Sequence, residues 1–155
     1  MIRSDEHHLF AAIELARRAR ENGNHPFGAL LVDAAGDLVL EAENTVLTER
    51  DCTNHAELNL VRAASRRFGE ATLRDCTLYT STEPCAMCAG AIYWSGIGRV
   101  VFALSGAALN ATVESNEGDL ALSCREVFAR GGRTVAVSGP HLEEEAREVH
   151  RGFWR

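Results

Sequence analysis

The sequence lacks any long apolar run, and this absence excludes a membrane-spanning protein. No stretch approaches the roughly 20 apolar residues that a membrane-spanning helix needs. Residues 1–23 also lack an apolar core followed by a small-residue cleavage site, so they predict an amphipathic helix and not a signal peptide. We therefore expect the protein to reside in the cytoplasm.

Basic residues are also scarce relative to acidic ones. The chain has 16 basic and 22 acidic residues, for a formal net charge of −6. Nucleic-acid-binding proteins usually carry a basic footprint that neutralises phosphates. Local arginine clusters at 17–20 and 62–67 leave a nucleic-acid patch open, although such clusters more often form solvated helix faces. The charge balance thus favours a small-molecule substrate.

The cysteine content does not suggest a disulfide framework. The chain has five cysteines, an odd number, and two of them stand in the motif Pro84-Cys85-Ala86-Met87-Cys88. The other three (Cys52, Cys76 and Cys124) are typical of small core residues in a reducing compartment. With 155 residues, 46% hydrophobic and 25% charged, the composition predicts one globular domain over residues 1–155.

The cysteine pair and the motif His55-Ala56-Glu57 together indicate a catalytic metal site. Cys85 and Cys88 are three residues apart, so on a helix both thiols face the same way. One histidine brings the ligands to three and leaves a fourth position for water, as in catalytic rather than structural zinc sites. Glu57, two residues from His55, suits a general base. The alternative is a structural zinc knuckle or a redox pair, in which Glu57 has no task.

The spacing His-x-Glu and Pro-Cys-x-x-Cys is the signature of zinc nucleobase deaminases. With residues 83–92, it resembles the cytidine-deaminase-like superfamily, in particular the branch of guanine, cytosine and tRNA-specific adenosine deaminases. The resemblance extends from about Leu9 to Val137. It implies one zinc ion per chain, held by His55, Cys85 and Cys88, with Glu57 moving protons as ammonia is released. It also implies a homodimer.

The same resemblance implies a set of substrate contacts. In this branch, residues at the positions of Asn44 and Phe27 hold the base, and backbone groups at Ala56 and Glu83 contact it. Acids after the fourth strand would accept hydrogen bonds from an amino-amide edge, although any one of them is more often a solvated loop charge. Further candidates are Trp94, the acids Glu114, Glu117 and Asp119, and the aromatic residues Phe153 and Trp154.

The C-terminal aromatic residues and His25 each have an alternative interpretation. Phe153 and Trp154 resemble an aromatic C-terminal segment that closes the pocket in small-base deaminases, but core or dimer contacts would explain them equally well. His25 is either near the pocket or an ordinary loop histidine.

The pattern of apolar residues predicts an α/β protein. Helices are expected at 5–22, 54–68, 84–95, 120–129 and 143–153, and strands at 27–32, 38–42, 76–82, 99–104 and 134–138. Residues 105–118 show no period and are expected to form a loop. Strands that alternate with helices imply a mixed five-stranded sheet in a three-layer α/β/α sandwich. This arrangement would place His55 near Cys85 and Cys88.

Three functions follow from the sequence. The first is a zinc-dependent deaminase acting on a free base or nucleoside, guanine- or cytosine-like. The second is a tRNA-specific adenosine deaminase, which salt-sensitive tRNA binding would reveal. The third is a non-enzymatic, zinc-stabilised interaction domain, which would release no ammonia and would tolerate loss of Glu57.

Overall fold

A mixed five-stranded sheet forms the centre of the molecule, as predicted. The computed structural model describes residues 3–113 and 120–154. The strands are β1 (Gly28–Val32), β2 (Leu38–Glu43), β3 (Thr77–Thr82), β4 (Arg99–Leu104) and β5 (Ala136–Ser138). Their order is β2-β1-β3-β4-β5. β1 pairs antiparallel with β2 and β3, whereas β4 pairs parallel with β3 and β5.

Helices cover both faces of the sheet and complete the predicted three-layer sandwich. They are α1 (Arg3–Glu21), α2 (Val46–Glu49), α3 (Ala56–Arg67), α4 (Glu70–Leu73), α5 (Ala86–Ser95), α6 (Gly106–Thr112), α7 (Cys124–Ala129) and α8 (Glu143–Glu148). One buried cluster lies between the sheet and α1 and α8, and a second lies between the sheet and α3, α5 and α7. Within residues 3–113 and 120–154, no helix is long and apolar enough to cross a membrane.

The long helix α1 is fixed on the sheet by a buried carboxylate and by close backbone packing. Asp5 is 1% exposed and accepts hydrogen bonds from the Arg99 guanidinium at 3.0 and 2.7 Å and from the Tyr79 hydroxyl at 2.6 Å. A Cβ at Gly28 would lie 2.5 Å from the Leu15 Cβ, so only glycine lets β1 approach the helix this closely. These contacts fix the start of β1 relative to α1.

The prediction of a loop at 105–118 was wrong for its first half. Residues 106–112 form α6, and the Ser105 hydroxyl caps it by accepting a hydrogen bond from the Ala108 N–H at 3.1 Å. The sequence of α6 is short and rich in alanine, so it shows no clear apolar period.

The last two helices are several residues shorter than predicted, and two short helices were missed. Residues 120–123 are not helical, because α7 begins at Cys124 with a capping box formed by Ser123 and Glu126. The last helix ends at Glu148, and turns follow it through Phe153. The single-turn helices α2 and α4 had not been predicted.

Candidate active site

The N-termini of α3 and α5 meet and bring the three predicted metal ligands together. His55 is the N-cap residue of α3 and Cys85 is that of α5, and neither side chain makes a capping hydrogen bond. The His55 Nδ1 lies 3.6 Å from the Cys85 Sγ and 3.4 Å from the Cys88 Sγ. All three ligand atoms lie within 4.8 Å of one another. The side chains of both N-cap residues thus point toward each other and not toward the backbone N–H groups of their own helices.

This donor set suits zinc. One imidazole nitrogen and two thiol sulfurs are ligands that zinc prefers, and three of them leave one tetrahedral position free. The positive ends of two helix dipoles favour the thiolate forms. The hydrogen bond with Cys88 is the main cause that lowers the pKa of Cys85 to about 4, and it raises the pKa of Cys88. Cys85 is therefore the thiol that loses its proton first.

Glu57 is a buried carboxylate beside these ligands. It is 6% exposed and lies at the second position of α3, where it interacts with the Cys88 thiol. Burial, and next the charge of Cys85, raise the pKa of Glu57 to about 7. A bound cation would lower it again, because positive charge favours the carboxylate. Its position beside the ligands would let it exchange protons with a water bound there, and its catalytic role stays a prediction.

Asn44 and Phe27 lie together on one flank of the ligand cluster. The backbone N–H of Asn44 donates to the carbonyl of Phe27 at 3.1 Å, and the next residue, Thr45, donates to the carbonyl of Asn54, which precedes His55. The Asn44 side chain is buried, and its Oδ1 accepts a hydrogen bond from the Val46 N–H at 3.0 Å. Its Nδ2 group makes no hydrogen bond to any described residue. A donor is thus left for a ligand.

Aromatic residues from the end of the chain pack on the same flank. The Trp154 ring lies 5.3 Å from His25 and 6.1 Å from Phe27, between ring centroids, and Phe153 lies 5.8 Å from His25. Burial is the main cause that lowers the pKa of His25, and the charge of His55 lowers this pKa further. His25 therefore lies near the site. His150 also contacts Phe27, at 5.3 Å, and no local sequence signal pointed to it.

A cavity of about 740 Å³ opens beside the metal ligands. Its described walls include His55, Cys85, Glu83, α6 and residues 120–123, and none of them is an arginine or a lysine. The Glu83 carboxylate accepts hydrogen bonds from the Gly106 N–H at 3.0 Å and from the Cys124 N–H at 3.1 Å. These are the first residues of α6 and α7, so Glu83 holds two walls of the cavity in place. Its backbone contact with substrate stays a prediction, as does that of the buried Ala56.

One candidate residue, Trp94, is not brought to the ligand cluster. Trp94 lies at the far end of α5, nine residues beyond Cys85; it is 81% exposed and packs against Tyr93 at 5.3 Å. The three acids Glu114, Glu117 and Asp119 lie outside the described residues.

A three-layer α/β/α fold with two thiols and one imidazole at paired helix ends, beside a buried carboxylate, defines a zinc-dependent hydrolase site. Residues 2–104 match the family model of the cytidine and deoxycytidylate deaminase zinc-binding region. The chain belongs to this family of hydrolytic deaminases, which confirms the resemblance inferred from the motifs.

Individual relatives differ in the substrates that their names give. The chain is 42% identical over 149 residues to a probable cytosine deaminase of Schizosaccharomyces pombe, which covers 95% of this chain and 90% of that protein. It is 42% identical over 101 residues to the tRNA-specific adenosine deaminase of Haemophilus influenzae, with 65% of this chain and 58% of that protein covered. The structure of guanine deaminase from Nitrosomonas europaea superposes with a TM-score of 0.73 at 26% identity, covering 93% and 81% of the two chains.

Proposed function

We propose that this deaminase removes the exocyclic amine of a free nucleobase or nucleoside, guanine- or cytosine-like, and releases ammonia. The observation that carries the proposal is the charge of the cavity beside the metal ligands. Its described lining has the two carboxylates of Glu83 and Glu126 and no arginine or lysine. Phosphate groups need cationic partners, so this lining favours an uncharged substrate over a nucleotide or a tRNA. The near full-length similarity to a probable cytosine deaminase supports the same substrate class.

The chemistry follows from the placement of Glu57. When held by His55, Cys85 and Cys88, zinc supplies a Lewis acid that makes water a nucleophile near neutral pH. Glu57 accepts a proton from the water while the water oxygen attacks the carbon that carries the amine. The carboxyl group gives this proton to the ring nitrogen. It then takes the second proton of the water from the hydroxyl group now bound to the carbon and gives it to the leaving amine. One water is consumed, and the C–NH₂ group becomes a carbonyl plus ammonia.

Asn44 and Phe27 orient the base in this proposal. Because the Val46 N–H holds the Oδ1 of Asn44, the free Nδ2 group offers a donor to a carbonyl oxygen or ring nitrogen of the substrate. Phe27 and Trp154 provide flat apolar surfaces for the ring. The acids Glu114 and Glu117 remain candidate acceptors for an amino group.

A tRNA-specific adenosine deaminase is the second candidate, because the relative from Haemophilus influenzae is as similar in identity over the matched residues. It would require the exposed arginines of α1 and α3 to bind phosphates. Activity on an anticodon stem-loop that falls steeply with salt would favour it.

The test is ammonia release by zinc-loaded protein from guanine, cytosine, adenine, their nucleosides and a tRNA anticodon stem-loop. We expect turnover of a free base or nucleoside and none of the stem-loop. Glu57→Gln should retain zinc and lose about a thousandfold in kcat. Glu70→Gln, a change of an exposed carboxylate on α4, is the matched control and should be fully active. Turnover of the stem-loop alone would reject the proposal, and full activity of Glu57→Gln would reject the assigned role.

We further propose that residues 1–155 act as one domain in a cytoplasmic homodimer. The helix α5 contains no charged residue, and apolar helices of this kind are normally covered on all sides. Its outer face nevertheless exposes Met87 and Trp94, with open space above Gly90. A second copy packed on this face would cover it. Sedimentation equilibrium should report a dimer for the native chain and a monomer for Trp94→Glu, while a monomeric native chain would contradict the proposal.

A further inference from the structure

Arg20, in the last turn of α1, holds the segment that follows α8. Its Nη1 donates to the carbonyl of Val149 at 3.0 Å and to the carbonyl of Arg151 at 2.6 Å. Its guanidinium also lies over the Phe153 ring, 5.5 Å from the centroid. These carbonyls come at the end of a helix, where backbone acceptors lack intrahelical donors. One side chain therefore fixes the path of residues 149–153 from more than a hundred residues away in sequence.

The hydrogen bonds that this segment makes by itself are local. The N–H groups of Arg151 and Phe153 donate to carbonyls three residues earlier, and the indole N–H of Trp154 donates to His150 Nδ1 at 3.0 Å. Such bonds shape the turns but do not attach them to α1. Attachment comes from Arg20 and from the buried Val149, which packs in the cluster between α1 and the sheet.

The segment ends against the substrate flank of the site. The Trp154 ring packs beside His25 and Phe27, and the backbone of Phe27 is bonded to that of Asn44. A shift of residues 149–153 would therefore move Trp154 relative to the surface on which the base is proposed to lie.

We propose that Arg20 is a positioning residue that keeps Trp154 closed over the substrate flank and so determines how tightly the base is held. The proposal rests on the proposed function, because it needs the base to lie against Phe27. Arg20 does not touch the ligand cluster in the contacts described above, so it should affect binding more than chemistry. If its loss leaves only a fraction of molecules closed, the apparent affinity falls by that fraction.

The test compares Arg20→Met with Arg17→Met in zinc-loaded protein. Arg17 lies one turn earlier on α1, is partly exposed and pairs only with Glu14 among the described residues. For Arg20→Met we expect KM for the base to rise about tenfold with kcat within about twofold, because the closed population shrinks. Arg17→Met should match the native enzyme. Arg20→Lys should restore part of the loss, because an ammonium can donate to a carbonyl but lacks the flat stacking surface.

A second readout follows Trp154 directly. The chain has two tryptophans, so Trp94→Phe leaves Trp154 as the only indole. In that background Arg20→Met should increase acrylamide quenching of Trp154 fluorescence, and Arg17→Met should not. Unchanged KM or unchanged quenching in Arg20→Met would overturn the proposal. A parallel fall of kcat, zinc content and unfolding midpoint would also overturn it, since that pattern indicates a merely structural role.

The two proposals fail in different ways. If the native enzyme turns over no free base or nucleoside, the proposed function fails. Quenching then decides separately whether Arg20 positions Trp154.

Discussion

His150 should make the folded protein sensitive to mild acid. It is 1% exposed, and burial, followed by the charge of Arg20, lowers its pKa to about 4. Its Nδ1 accepts a hydrogen bond from the Trp154 indole, and its Nε2 has no partner among the described residues. Protonation would place a second donor against the indole N–H. The folded state therefore strongly favours the neutral ring.

The size of the effect follows from the difference between the folded and unfolded pKa values. An unfolded histidine titrates near 6.5, so below that pH the unfolded chain binds more protons and the free energy of unfolding falls as the pH falls. At about 1.4 kcal/mol per pKa unit, the loss is about 2 kcal/mol between pH 8 and pH 5 and about 3.4 kcal/mol below pH 4.

Urea unfolding of zinc-loaded protein between pH 8 and pH 5 tests this prediction. The quantity of interest is the stability of the native protein minus that of His150→Gln, because the contributions of all other groups, including the metal ligands, cancel. Glutamine keeps an acceptor for the indole but does not titrate. The difference should fall by about 2 kcal/mol on going to pH 5. A difference that stays constant from pH 8 to pH 5 would refute the reasoning.

Three further changes should have effects of known direction. Arg133 donates to the carbonyls of residues 92, 93 and 97 at the end of α5, so Arg133→Met should lower the free energy of unfolding by about 2 kcal/mol, whereas Arg130→Met on the exposed surface should not. Gly28→Ala should cost about 3 kcal/mol in thermal unfolding, because its methyl group would overlap Leu15; a stable variant would contradict the close packing. Glu83→Ala should destabilise by about 2 kcal/mol in urea and leave the zinc stoichiometry intact; loss of zinc would show that this residue supports the ligands themselves.

The elements that could be predicted from the sequence are those that their own residues stabilise. The strand Arg99–Leu104 was predicted residue for residue, because it is a continuous apolar run that is buried in the sheet. The helix α6 was not predicted, because its N-terminus depends on the Glu83 carboxylate as well as on its own Ser105 cap. The final helix stops early because turns held by Arg20 replace it. No local pattern contains either long-range contact.

The residues of the candidate site also fall into those that the sequence could predict and those that it could not. His55, Cys85 and Cys88 could be identified because zinc restricts both the residue types and their spacing. Their convergence followed once both helices were placed on one face of the sheet. The nearness of His25 and the burial of His150 depend on how the end of the chain packs against α1, which apolar periodicity does not encode.

The pairing of Cys85 with Cys88 should also make the zinc-free protein prone to oxidation. With a pKa of about 4, the partly exposed Cys85 is a thiolate at neutral pH when zinc is absent. Peroxide converts such thiolates to sulfenic acid, and the neighbouring Cys88 can then close a disulfide. An oxidised pair no longer offers sulfur donors, so zinc added afterwards would find no site. The thiols should therefore be reduced before zinc is added. Protein with full zinc occupancy should keep its activity longer in storage than zinc-free protein.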